Sequence, residues 1–61
     1  MLLQLNLEVD ERTAMALAQF VKRSRWEHYM DCAVDKDEAD EIRDGVSALE
    51  KALAERGFAP R

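Results

Sequence analysis

The sequence predicts an α+β fold that is mainly α: one N-terminal strand followed by a helix, a short helix and a long C-terminal helix. Two hydrophobic patterns support this order. Apolar and polar residues alternate over residues 3–9, and apolar residues recur every three or four positions over most of the remaining chain. Because 61 residues bury only a marginal core, residues 1–61 are expected to form a single small domain.

The first element is the predicted strand. Its period of two covers Leu3, Gln4, Leu5, Asn6, Leu7, Glu8 and Val9. No second alternating run is present to pair with it, and an unpaired strand leaves its backbone N–H and C=O groups without partners. We therefore expect residues 2–9 to pair with their copies across a homodimer; the alternative is an extended arm that packs on the protein.

A first helix is predicted from about Glu11 to Arg23, with Asp10 as its N-cap. Its apolar stripe consists of Ala14, Leu17, Ala18 and Val21. Ser24 followed three residues later by Glu27 has the form of a capping box, which predicts a new, short helix. The inner face of that short helix would carry Trp26, Tyr29, Met30 and Ala33.

The long helix is predicted over residues 36–56, after a cap-like pair formed by Asp35 and Glu38. Gly57 suits the left-handed position after its end, Phe58 can fold back on Leu53, and Pro60 prevents the helix from resuming. The apolar seam of this helix consists of Ala39, Ile42, Val46, Leu49 and Leu53. Gly45 beside the seam either permits a close helix approach or is a tolerated weak point.

The opposite side of the long helix carries a row of carboxylates, which we call the acidic stripe: Asp37, Asp40, Glu41 and Asp44. The helix dipole accounts for acids in the first turn only, and like charges four residues apart cost roughly 0.2–0.5 kcal/mol per pair. Two interpretations remain open. The stripe is either a solvated face that keeps the protein soluble or a surface that binds a basic partner.

The overall charge favours a protein partner with a basic surface. A net charge of −4 and an isoelectric point near 4.8 oppose attraction to DNA, RNA or an anionic membrane. Nucleic acid is therefore the less favoured partner, and no membrane partner is expected. Because the sequence shows neither a signal-peptide pattern nor a long apolar stretch, we expect a cytoplasmic protein.

The residue types do not assemble a recognisable chemical site. His28 and Cys32 are four residues apart but are too few for a closed metal site, and Cys32 is expected to be buried. The two glycines form no phosphate-binding loop. We therefore expect no enzyme activity, no catalytic residues, no cofactor and no metal. Trp26 and Tyr29 are expected to fill the core, although they could also anchor a partner.

The segment Gln4-Leu5-Asn6-Leu7-Glu8, followed by the capped helix from Asp10, resembles the ribbon-helix-helix family of dimeric repressors. This resemblance covers about the first 25 residues. It implies an antiparallel ribbon between two subunits, with Gln4 and Asn6 reading bases and Lys22, Arg23 or Arg25 on phosphates. The alternative function is thus a dimeric transcriptional regulator that binds DNA through its N-terminal strand. The three basic residues also complement the dipole of the first helix.

A second resemblance spans more of the chain. It is carried by Ala18-Gln19-Phe20-Val21-Lys22-Arg23, Trp26, Cys32-Ala33-Val34-Asp35, Glu38-Ala39, Lys51-Ala52-Leu53-Ala54, Gly57 and Ala59-Pro60-Arg61. This layout resembles small uncharacterised acidic proteins of proteobacteria and their mobile elements. In size and charge the chain is also similar to the anti-CRISPR proteins of phages. The favoured function is therefore a stoichiometric inhibitor that presents the acidic stripe to a basic protein surface.

Overall fold

A computed structural model describes residues 1–59, and in these residues the fold is all-α. The three helices are α1 (Glu11–Arg23), α2 (Trp26–Cys32) and α3 (Lys36–Glu55). No strand is present in the described residues, so the predicted α+β fold with an N-terminal strand is wrong. The reason is that a strand needs a second hydrogen-bonded backbone, which this chain does not supply. Residues 1–9, which we call the N-terminal arm, precede α1 without regular structure, and every one of them is exposed.

The predicted bounds of α1 are confirmed, because local capping groups set both of its ends. The Asp10 carboxylate accepts a hydrogen bond from the backbone N–H of Thr13 at 2.7 Å. At the other end, the Ser24 hydroxyl donates to the carbonyl oxygen of Val21 at 2.8 Å. The last turn of α1 also carries Lys22 and Arg23, whose positive charges complement the helix dipole.

The capping box predicted at Ser24 and Glu27 is wrong by one residue. The N-cap of α2 is Arg25, whose backbone N–H donates to Nδ1 of His28 at 3.0 Å. Ser24 is instead engaged in ending α1, and its Oγ also lies 2.9 Å from the Tyr29 hydroxyl. The serine thus joins the end of α1 to α2.

Both predicted ends of α3 are confirmed to within a residue. The Asp35 carboxylate accepts from the N–H of Glu38 at 2.9 Å, and the Glu38 carboxylate accepts from the N–H of Val34 at 3.0 Å. Gly57 has a φ of 91°, and the N–H of Phe58 donates to the carbonyl oxygen of Leu53 at 2.9 Å. The N–H of Gly57 also donates to the carbonyl oxygen of Ala54 at 2.9 Å, and these two bonds form a Schellman motif. Pro60, which was expected to stop the helix, lies outside the described residues.

The packing is centred on α3, which contacts both other helices, whereas α1 and α2 do not pack against each other in the described residues. Ala14 and Ala18 of α1 pack on Leu53, and Phe58 covers the same cluster. The molecule measures 34 × 28 × 15 Å. Because α1 and α2 pack on α3 but not on each other, the core is small, and its buried residues are Ala14, Ala18, Val21, Ala39 and Leu53.

Candidate functional site

The acidic stripe lies on the outer side of α3, opposite its buried residues. Asp37, Glu41 and Asp44 are exposed, while Asp40 is half-buried. Residues 35–44 contain six carboxylates and two cations, a net charge of −4 that equals the net charge of the entire chain. The remaining 51 residues are therefore balanced overall, and the negative charge of the protein is concentrated on the N-terminal half of α3.

Cations of the same helix partly neutralise one edge of the stripe. Lys36 Nζ lies 3.0 Å from Asp40 Oδ2, and Arg43 lies 3.5 Å from Asp40 and 3.6 Å from Asp44. These side chains are 31–77% exposed, and solvent-exposed ion pairs contribute only about 0–1 kcal/mol. In the part of the chain that the structure describes, Asp37 and Glu41 have no cation within ion-pair distance. The stripe therefore remains negative, most strongly along Asp37 and Glu41.

Arg43 has a second contact that the sequence did not reveal. Its guanidinium carbon lies 5.7 Å from the centre of the Trp26 ring, and the Trp26 and Tyr29 rings meet edge to face at 6.3 Å. Trp26 is 38% exposed and Tyr29 is half-buried, so the expectation that both fill the core is met only in part. Trp26 lies at the edge of the α2–α3 contact, beside the stripe.

A groove of about 330 Å³ separates α1 from α2 above α3. Its walls are almost entirely apolar and are formed by Phe20, Arg23, Ser24, His28, Tyr29, Cys32, Ile42 and Val46. Ile42 and Val46 belong to the apolar seam predicted on α3, but they are only half-buried because no side chain of α1 or α2 covers them completely. Phe20 is 63% exposed, which is a large apolar exposure for a helix residue.

The residues of the DNA-binding alternative lie in two separate parts of the chain. Gln4 and Asn6 lie in the N-terminal arm before α1, whereas Lys22 and Arg23 lie in its last turn and Arg25 follows it. The 13 residues of α1 span about 20 Å. No strand occurs in the described residues, so the single chain does not contain the ribbon that would place Gln4 and Asn6 in a DNA groove.

His28 and Cys32 lie one turn apart on α2 and both line the groove, but they form no larger set of possible metal ligands in the described residues. Cys32 is exposed, so its predicted burial is wrong. His28 uses its Nδ1 to cap α2. No group of three or more possible metal ligands occurs in residues 1–59. None of the three described helices is long and apolar enough to cross a membrane.

Comparison with known proteins identifies a family but no characterised relative. The sequence profile of a family of unknown function, DUF7706, matches residues 1–61. No curated protein and no solved structure matches the chain. The properties that bear on function are therefore those of the chain itself: the acidic stripe, the apolar groove and the exposed N-terminal arm.

Proposed function

This chain belongs to the family of unknown function DUF7706, and from its surface we propose that it is a non-enzymatic, stoichiometric inhibitor that binds the basic surface of another protein. One observation carries the proposal: residues 35–44 hold a net charge of −4, as large as that of the whole protein. Concentrated charge of this kind attracts and orients a partner of opposite sign.

The geometry of α3 supports binding through the outer face of the helix. Asp37, Glu41 and Asp44 project away from the core, which leaves their carboxylates accessible to another molecule. Arg43 lies beside the stripe, and its exposed ion pairs with Asp40 and Asp44 are weak enough for a partner's arginine or lysine to compete for the same carboxylates. Asp37 and Glu41 are the residues most available to such a partner.

The sharpest form of the proposal concerns a partner that normally binds nucleic acid. A row of carboxylates on a helix presents negative charge in a line, as a phosphate backbone does, and a groove lined by Lys and Arg attracts both. The protein would then block nucleic-acid binding by occupying that groove, in the manner of an anti-CRISPR protein.

We also propose that the active form is a homodimer. The accessible surface of the chain is 5544 Å², whereas a compact monomer of 7.0 kDa exposes about 4,000 Å². The N-terminal arm adds to this excess, because Leu2, Leu3 and Leu5 are 99%, 78% and 86% exposed. A second copy is the partner always available to cover such a surface.

The binding surface is tested by capturing partners from a host lysate with immobilised variants of the protein. Asp37→Asn combined with Glu41→Gln removes two charges from the stripe, and Glu50→Gln combined with Glu55→Gln removes two exposed charges from the other half of α3. We expect the first variant to lose the basic partner and the second to retain it. An added DNA or RNA oligonucleotide should release the partner from the wild-type protein.

Two results would contradict this proposal. Equal recovery of the partner by the stripe variant and the wild-type protein would remove the stripe from the interface. Equal loss with both double variants would mean that only net charge matters and that no defined surface binds.

A further inference from the structure

We infer that the N-terminal arm of one copy docks in the groove of a second copy, so that the dimer forms by reciprocal exchange of arms. The inference rests on the homodimer proposed above and names the N-terminal arm and the groove as the two surfaces of the dimer interface. It requires no pairing between strands, because the contact joins the side chains of an arm to the walls of a groove between helices.

The groove offers an apolar site that its own chain leaves uncovered. It lies where α1 and α2 diverge, and its floor is formed by Ile42 and Val46 of α3. Phe20 forms part of its wall and is 63% exposed. Water in contact with this surface is unfavourable, and a segment that brings apolar side chains would displace it.

The arm supplies side chains of the matching chemistry. Leu5 and Leu7 are 86% and 64% exposed and are spaced by two residues, so an extended backbone would place them on one side. No residue of the arm lines the groove of its own chain. A second copy therefore provides the apolar surface that each arm lacks.

The charges of the two surfaces are also complementary. Glu8 is the only charged side chain within residues 1–9, and Arg23 is the permanent cation among the residues that line the groove. In an extended arm Glu8 lies on the same side as Gln4, so with Leu5 and Leu7 in the groove the carboxylate would meet Arg23 at the rim and not inside the groove. A solvent-exposed pair of this kind favours the correct orientation of the arm more than it adds affinity.

The exposed area is large enough for this interface. The chain exposes 5544 Å², about 1,500 Å² more than a compact monomer of its mass, and a stable interface of standard size covers about 800 Å² per partner. Because each copy has one arm and one groove, a two-fold axis satisfies both at once. The assembly then closes at two copies and does not grow into a filament.

The native cysteine allows a direct test. Cys32 lines the groove and is the only cysteine of the chain, so Leu5→Cys introduces a single possible disulfide partner on the apolar side of the arm. Under mild oxidation we expect a covalent dimer of twice 7.0 kDa, in which peptide mapping finds disulfides between positions 5 and 32. Gln4→Cys is the matched control, since its side chain alternates to the other side of the arm, and it should form this link at least tenfold more slowly.

Light scattering on reduced protein tests the same contact without a crosslink. The wild-type protein and Gln4→Glu are expected to be dimers, while Leu5→Glu, which places a carboxylate on the apolar side of the arm, should have the mass of one 7.0 kDa chain. Because no residue of the arm belongs to the core cluster or to the side chains packed against it, Leu5→Glu should keep the circular dichroism of the three helices.

The outcomes separate this inference from the proposals on which it rests. A disulfide between positions 5 and 32 within one chain, or one between two residues 5, would overturn arm exchange. A dimer that persists in Leu5→Glu would overturn it and leave the homodimer standing. A wild-type mass of 7.0 kDa at every concentration, or a small molecule bound to a single chain in native mass spectrometry, would overturn both. None of these results changes the outcome of the partner-capture experiment with the stripe variants.

Discussion

At the scale of single residues, the polar side chains of this protein are committed to local tasks that decide where helices begin and end. Ser24 illustrates this point, because the same hydroxyl donates to the Val21 carbonyl and meets the Tyr29 hydroxyl. His28 accepts the N–H of Arg25 and thereby begins α2 one residue later than the capping-box pattern indicates. Arg43 combines two roles, since it faces the Trp26 ring and pairs with Asp40 and Asp44.

The capping carboxylate of Asp10 gives the stability of α1 a pH dependence. The hydrogen bond from the backbone N–H of Thr13, assisted by the Thr13 side chain, lowers the pKa of Asp10 below its usual value of 3.8. A lowered pKa in the folded state means that the stabilisation is complete above pH 3.8 and is lost as the pH falls through the folded-state pKa. Urea unfolding of the wild-type protein and Asp10→Asn should show a difference in stability that declines below pH 3.8.

Asp10→Asn is a suitable control because asparagine keeps an oxygen that accepts from Thr13 but does not titrate. All other acids are the same in the two proteins. A stability difference that stays constant between pH 7 and pH 2 would contradict the assigned role of Asp10.

At the scale of elements, α3 organises the molecule, and α2 depends on it. α2 has seven residues, and none of them is buried, so this helix has little independent stability. α3 has 20 residues and carries the core on one side and the acidic stripe on the other. Because the helical period places the apolar residues on one side of α3 and the carboxylates on the other, the sequence already indicates both faces.

The two glycines of the C-terminal half should respond oppositely to alanine. A Cβ at Gly45 would meet nothing within 4 Å, so the close helix approach considered for this position does not occur in the described residues. Gly45→Ala should raise the free energy of unfolding by about 0.5–1 kcal/mol, because alanine is the better helix former.

Gly57 has a φ of 91°, so Gly57→Ala should lower the free energy of unfolding by about 1–2 kcal/mol. Urea unfolding followed by circular dichroism measures both changes, and a shift in the same direction for the two variants would disprove this assignment.

At the scale of the whole molecule, the chain is more open than a compact domain of its length. Its radius of gyration is 12.4 Å, whereas about 10.5 Å is typical of 61 residues. Because α1 and α2 pack on α3 but not on each other, apolar side chains such as Phe20 and Ile42 keep contact with water. The charge distribution is equally uneven, with the negative charge gathered on residues 35–44. Both properties favour association with another macromolecule.

The proposed homodimer predicts a melting temperature that depends on protein concentration. If unfolding dissociates two copies, each tenfold increase in concentration stabilises the dimer by about 1.4 kcal/mol through mass action. Calorimetry across a hundredfold range of concentration should therefore show a steadily rising melting temperature. A melting temperature independent of concentration over that range would indicate a monomer that unfolds alone.

Local chemistry made much of the helical structure predictable. Asp10, Asp35 and Gly57 act within a few residues of their own positions, so the bounds of α1 and the ends of α3 follow from neighbours in the sequence. The acidic stripe was predictable for the same reason, since residues three and four apart on a helix share a face. The cap of α2 was predicted one residue too early because Ser24 could either begin α2 or end α1. In the structure it ends α1.

By itself the sequence determined the helices, the caps of α1 and α3 and the concentration of charge on α3, because each depends on contacts within one or two helical turns. Only the tertiary structure decided that residues 1–9 form no strand, that α1 and α2 diverge around an apolar groove, and that Arg43 lies between Trp26 and the stripe. The groove and the position of Arg43 depend on contacts between residues distant in sequence. The absence of a strand in residues 1–9 depends on the absence of a second strand in the described residues. Alternation of apolar residues sets which side chains share a face of a strand, but a second backbone must be present before a strand can form.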